Sequence, residues 1–170
     1  MAFLALGSTR QSVPYWRGYK TTQQTITAST YTAVSTFVER ESGGGSWTYP
    51  TGGTPHTYWS VPKNGLYHIN FELSLVSSTP AAGEIVQSFL AIDVESGHDE
   101  TNDEFYARTE RMLLSASDTT SISTSSTCLN LTTANKLYLI VWSNAGGTLQ
   151  VPDGTDVYRR MDVTLHYIGA

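Results

Sequence analysis

The chain has 170 residues, which fits one domain of ordinary size. Only 15% of its residues are charged; 24 Thr and 19 Ser make up about a quarter of the chain, and ten Tyr and four Trp help lift the aromatics to 11%, a mixture that suits strands and turns and excludes intrinsic disorder. A net charge of −5 with no cluster of Lys or Arg excludes a sequence-independent grip on nucleic-acid phosphates, and with it a genome-packaging shell protein carrying a basic arm.

Residues 1–12 follow no strand or helix period. Phe3, Leu4 and Leu6 make a short apolar patch followed by small polar residues. The plainer reading is a frayed terminus. The sharper one is an arm that docks on a partner, because an exposed Phe-Leu-x-Leu is otherwise a liability. The apolar run is too short for a signal-peptide core or a membrane span. Synthesis in the cytoplasm of whatever cell makes it, without a signal peptide, and no membrane partner, are therefore expected.

Residues 13–170 read as one domain. Period-two alternation predicts strands over residues 14–19, 23–28, 33–38, 57–61, 65–76, 86–94, 104–114, 120–131, 136–142 and 158–168. In the clearest of these, Tyr67, Ile69, Phe71, Leu73 and Leu75 share one face, while His68, Asn70, Glu72 and Ser74 share the other. The last strand turns Met161, Val163, Leu165 and Tyr167 one way and Arg160, Asp162, Thr164 and His166 the other. Tyr67, Ile69, Phe71, Leu73, Val163 and Leu165 are accordingly the candidate core. Gly- and Pro-rich punctuation separates the strands. About ten short strands at this spacing mean an all-β, antiparallel sandwich or barrel.

Motifs of catalysis are missing from the sequence. There is no Gly-x-Ser-x-Gly elbow, no phosphate-cradling Gly-Lys-Ser/Thr loop and no His-Glu-x-x-His pair. No enzymatic activity is expected, and no cofactor or metal. The acidic segment 98–104 offers alternating hard oxygens for calcium but lacks the Gly and distal Glu of a calcium loop, so a solvated turn explains it better. The single cysteine, Cys128, allows no intrachain disulfide and is expected to be a small core residue. Trp47, Tyr49 and Tyr58 flank the Gly-rich stretch 42–55. Trp47 and Tyr49 are candidates to stack on a sugar or grip a protein, with capping of the sandwich end the weightier alternative.

One stretch carries a family resemblance: Tyr58-Trp59-Ser60-Val61-Pro62-Lys63-Asn64-Gly65-Leu66-Tyr67-His68-Ile69-Asn70-Phe71. An aromatic, Val-Pro, two residues, Gly-x-Tyr and an alternating aromatic strand resemble the globular head of complement component one-q and the tumour-necrosis-factor-like jelly rolls. Lys136-Leu137-Tyr138-Leu139-Ile140-Val141-Trp142 is similar to the family's late strand, and residues 161–169 to its closing strand. The resemblance covers about residues 14–169. It implies a jelly-roll β-sandwich that forms trimers and works by binding. It also implies that the first long strand and the last lie side by side, with His68, Asn70, Glu72, Arg160, Asp162 and His166 toward the threefold axis. The sequence departs from the animal members in lacking a collagen-like stalk. Stalkless relatives of this kind occur in bacteriophage virions. The resemblance thus implies a non-enzymatic, homotrimeric virion protein, most simply a capsid decoration protein held to the major capsid protein by Phe3, Leu4 and Leu6. The alternative is a fibre tip that reads a host glycan or protein.

Overall fold

The computed structural model describes residues 13–52, 57–77, 82–93, 104–112, 120–149 and 161–170. The arm residues Phe3, Leu4 and Leu6, Arg160 and residues 98–103 lie outside them. The described residues form an antiparallel jelly-roll sandwich of eleven strands, β1 to β11, with no helix.

Seven strands build the larger sheet: β1 (Tyr15–Lys20), β2 (Gln24–Ile26), β4 (Phe37–Gly43), β5 (Gly65–Ser77), β8 (Thr120–Leu131), β10 (Gly147–Leu149) and β11 (Asp162–Gly169). The smaller sheet runs β3 (Thr32–Ala33), β9 (Lys136–Ser143), β6 (Ile85–Asp93) and β7 (Glu104–Met112). The long strand β5 is the spine. Its one edge pairs along its length with β8, and its other edge pairs first with β11 and then with β10. On the far side of β11 lies β1, and beyond that β4.

Alternation decides what faces the space between the sheets. Tyr67, Ile69, Phe71, Leu73 and Leu75 of β5 and Val163 and Leu165 of β11 are all buried there, with Trp16, Trp59, Leu131 and Leu139. Fully burying each such side chain contributes roughly 1.5–3 kcal/mol. The corner leading into β5 is fixed by Pro62 and Gly65. Gly65 has φ of +147°, a region that favours glycine, and a side chain there would run into the Gly169 carbonyl and the Tyr167 ring. Tyr67 then caps the corner by donating its hydroxyl to the Lys63 carbonyl at 2.7 Å.

The stretch 57–61 differs from the expected strand. It makes single bridges to two different neighbours, Thr48 to Ser60 and Trp59 to Leu137. Trp59, 1% exposed, is an anchor in the core. A segment whose successive residues turn to different partners, and which meets Pro62 at once, cannot extend a ladder. Likewise the expected strand 33–38 is broken: β3 stops at Ala33 and β4 starts at Phe37, with Thr36 at a positive φ of 62° between them.

That break has a partner. Lys20, fully buried at the end of β1, donates to Gln24 Oε1 at 3.1 Å, Thr36 Oγ1 at 2.6 Å and the Ser35 carbonyl. Burial lowers its pKa to about 8. Gln24 in turn donates to the Ala33 carbonyl at 2.7 Å. A buried ammonium is tolerated because it is hydrogen-bonded, and here it clasps β1 to the β3–β4 connection.

Candidate functional site

The outward side of the larger sheet gathers polar side chains from five strands. Residues that face each other across paired strands stand side by side on one surface. One row runs Tyr15, His166, His68, Cys128, from β1 through β11 and β5 to β8. The next runs Glu41, Arg17, Thr164, Asn70, Ser126, beginning on β4. Glu72 and Asp162 follow on the same side. Between these rows lies an open cleft of about 340 Å³, lined by Tyr15, Arg17, Glu41, Asn70, Glu72, Asp162, Thr164 and His166.

Its contacts are loose and wet. Tyr15 and His166 stack with centroids 6.2 Å apart and planes 13° from parallel. His68 Nε2 and Ser126 Oγ share a hydrogen bond of 2.7 Å. Arg17 reaches Glu41 at 3.7 Å and Asp162 at 4.0 Å. Exposed pairs of that kind contribute about 0–1 kcal/mol to folding. With three carboxylates to one guanidinium, the cleft is acidic. At the margin near the Gly65 corner stand exposed apolar side chains: Leu66 at 39%, Ile168 at 55% and Val13 at 58%.

Five of the six expected axis residues, His68, Asn70, Glu72, Asp162 and His166, therefore occupy one continuous surface; Arg160 lies outside the described residues. Arg17 meets Asp162. Tyr15, Arg17 and Glu41 escaped the sequence reading. They reach the site through pairings between opposite ends of the chain, for which period-two alternation carries no signal. Two neighbours on this side stand apart, and the second differs from expectation. Ser74 shares the parity of His68 but is 2% exposed, where β5 exchanges β11 for β10. Cys128, expected in the core, is exposed beside His68. Leu129 and Leu131 are buried, so Cys128, of the opposite parity on the same strand, points outward.

The candidate ligand loop is held differently. Trp47 donates its ring N–H to the Gly43 carbonyl at 3.1 Å and packs edge-on against Tyr67 at 6.0 Å. Tyr49 leans on Trp16 at 5.3 Å. Both rings pack against the core, leaving a recess of about 200 Å³ with Thr48 and Thr51. Tyr58 instead covers Tyr138 on the outside of the smaller sheet, at 5.8 Å. Among the described residues, no three His, Cys, Asp or Glu side chains converge to hold a metal.

No protein-family model matches the sequence, and no curated relative does. Solved structures match it in fold. Murine APRIL at pH 5.0 superposes with a TM-score of 0.64 at 10% identity, covering 92% of this chain and 100% of that one. Eiger TNF from S. frugiperda superposes with a TM-score of 0.63 at 10% identity, covering 93% and 94%. The fold is a tumour-necrosis-factor-like jelly roll.

Proposed function

We propose that this chain is a non-enzymatic adhesive head that assembles as a homotrimer through the open face of its larger sheet. We further propose that it serves on a bacteriophage virion, as a capsid decoration protein whose residues 1–12 engage the major capsid protein. The observation that carries the reading is the open face itself. Five strands present a continuous surface of carboxylates, histidines, an arginine, amides and hydroxyls around a cleft, bordered by exposed Leu66 and Ile168. Hydrogen-bonding groups beside exposed apolar side chains give this face the means for a polar, wet contact with another copy. In a threefold assembly each contact is heterologous, so this face would meet a different patch of the next copy. Three arms acting together would bind a shell firmly even when each alone is weak. The virion setting rests on the likeness to stalkless jelly rolls. The fibre-tip alternative gains no support from Trp47 and Tyr49, whose rings pack against the core.

Sedimentation velocity tests the assembly: a trimer at neutral pH is expected, and a monomer overturns the assembly reading. For the capsid role, a chain lacking residues 2–12 is expected to remain trimeric and to lose co-sedimentation with the shells. Binding that survives the deletion would reject the arm as the anchor.

A further inference from the structure

The turns before β6 and before β10 bring buried oxygens together. Glu84, just ahead of β6, is 2% exposed, and Ser143, closing β9, is fully buried. Ser143 Oγ lies 3.3 Å from Glu84 Oε1 and 3.4 Å from the Gly146 carbonyl oxygen, and it accepts a hydrogen bond from the Ala145 N–H at 3.2 Å. The turns are locked to each other alongside. The Ile85 N–H donates to Asn144 Oδ1 at 2.9 Å, and the Asn144 N–H donates to the Ile85 carbonyl at 3.2 Å. Gly146 sits at a φ of +73°, where a side chain would crowd the Ile26 carbonyl, so the direction of its own carbonyl is set by a glycine-only backbone.

The hydrogen count falls short. The Ser143 hydroxyl has one proton to offer both Glu84 Oε1 and the Gly146 carbonyl. Glu84 Oε2 is buried with no hydrogen-bond partner among the described residues. A buried carboxylate in that state is costly, and buried charges are normally paired or bound to a metal. A proton on Oε1 could be donated to Ser143 Oγ and release the hydroxyl proton to the Gly146 carbonyl, but Oε2 would still be buried without a donor. The spacing points to the remedy. Hard cations hold oxygens at about 2.3–2.6 Å, so neighbouring ligands at right angles lie roughly 3.3–3.7 Å apart. The two Ser143 contacts fall in that range, and both exceed the ~2.7–2.8 Å usual for hydroxyl hydrogen bonds.

We propose that Glu84, Ser143 Oγ and the Gly146 carbonyl form a binding site for a hard, oxygen-preferring cation, Ca²⁺ or Na⁺, that ties the turn before β6 to the turn before β10. A carboxylate, a hydroxyl and a peptide carbonyl are the ligand types such ions select, and thiophilic metals are disfavoured. The site shares no residue with the open face and stands whether or not that face assembles.

The full-length chain, stripped with EDTA, is melted in choline chloride, in NaCl and in CaCl₂ at matched ionic strength. In the salt of the preferred cation Tm is expected to rise by roughly 3–5 °C once the free ion reaches about ten times its Kd. A rise in NaCl assigns the site to a monovalent ion, and a rise confined to CaCl₂ assigns it to calcium. Glu84→Gln keeps the shape, removes the charge, and is expected to abolish the response. Ser143→Ala, expected to weaken it, serves as the second variant should Glu84→Gln not fold. Equal Tm in all three salts overturns the proposal, as does a full cation response in either variant.

Discussion

On the outside of the four-stranded sheet, Phe89, Ala91, Tyr138 and Ile140 are buried against Tyr31, Tyr58 and Trp142; on the outside of the seven-stranded sheet, Asn70 and His166 stand in solvent. The contrast follows from two strand patterns. In β9, Leu137 to Val141 are buried on both sides, so both sides need cover. The chain supplies the outer cover itself: Tyr31 packs on Phe89 at 5.5 Å and Tyr58 on Tyr138 at 5.8 Å, with Lys136 Nζ over the Tyr58 ring at 5.3 Å. In β11 burial alternates through Val163 and Leu165, and the other side needs nothing from its own chain. One outer face is thus covered by folding, and the other is left open. Substitutions on the first should register as stability, and those on the second as association.

The sharpest way to break that contrast is to open the sealed face. Phe89→Ala, at 3% exposure beneath Tyr31, is expected to cost about 3–5 kcal/mol in urea unfolding. A midpoint within experimental error of the wild type would show that the aromatic cover seals nothing.

β1 sends one cation to each side, Lys20 inward and Arg17 outward, and only the buried one should make stability depend on pH. Folding lowers the Lys20 pKa from 10.5 to about 8. Below pH 8 both states carry the proton, and the fold bears the whole penalty. Between pH 8 and 10.5 the folded chain releases a proton that the unfolded chain keeps, so stability rises with pH, by up to about 3 kcal/mol. Beyond pH 10 Tyr67 opposes the trend. Burial raises its pKa, so the unfolded chain ionises first and stability falls. Denaturant midpoints across pH 7–10 are expected to climb in the wild type and to stay level in Lys20→Met. A level wild-type profile would deny that the ammonium is desolvated.

Arg17→Met removes the contacts to Glu41 and Asp162 and is expected to change stability by less than about 1 kcal/mol, because both pairs are exposed to water. A loss of several kcal/mol would mean that the open face is already closed within one chain. Smallest in stability, and most telling for function, is Thr164→Arg at the cleft's centre. The monomer's unfolding midpoint is expected to move within about 0.5 kcal/mol, while on the assembly proposed above sedimentation shifts from trimer to monomer. A trimer undisturbed by that bulk would place the self-contact elsewhere.

Much of this was legible from residue order. The glycine-tyrosine corner, the inward Tyr67, Ile69 and Phe71 and the outward His68, Asn70 and Glu72 all follow from alternation along one strand, because successive side chains point to opposite faces. Cys128 has the composition of a core residue and is exposed, because it alternates with the buried Leu129 and Leu131. Ser74 shares the parity of His68 and is buried where β5 changes neighbours, and those neighbours come from far along the chain. Trp59 was legible as an aromatic but not as an anchor, since its bridge is to Leu137.

The sequence by itself settled an all-β sandwich and which side chains of the long strand and the closing strand would share a face, since a pleat of period two is a local property of the backbone. Only the tertiary structure decided that Tyr15, His166, His68 and Cys128 would stand in one row, that Arg17 would meet Asp162, that Lys20 would be buried among neutral acceptors, and that Glu84 would keep an unpartnered oxygen. Pairing between distant segments is set by the burial of the whole core, and no local pattern encodes it.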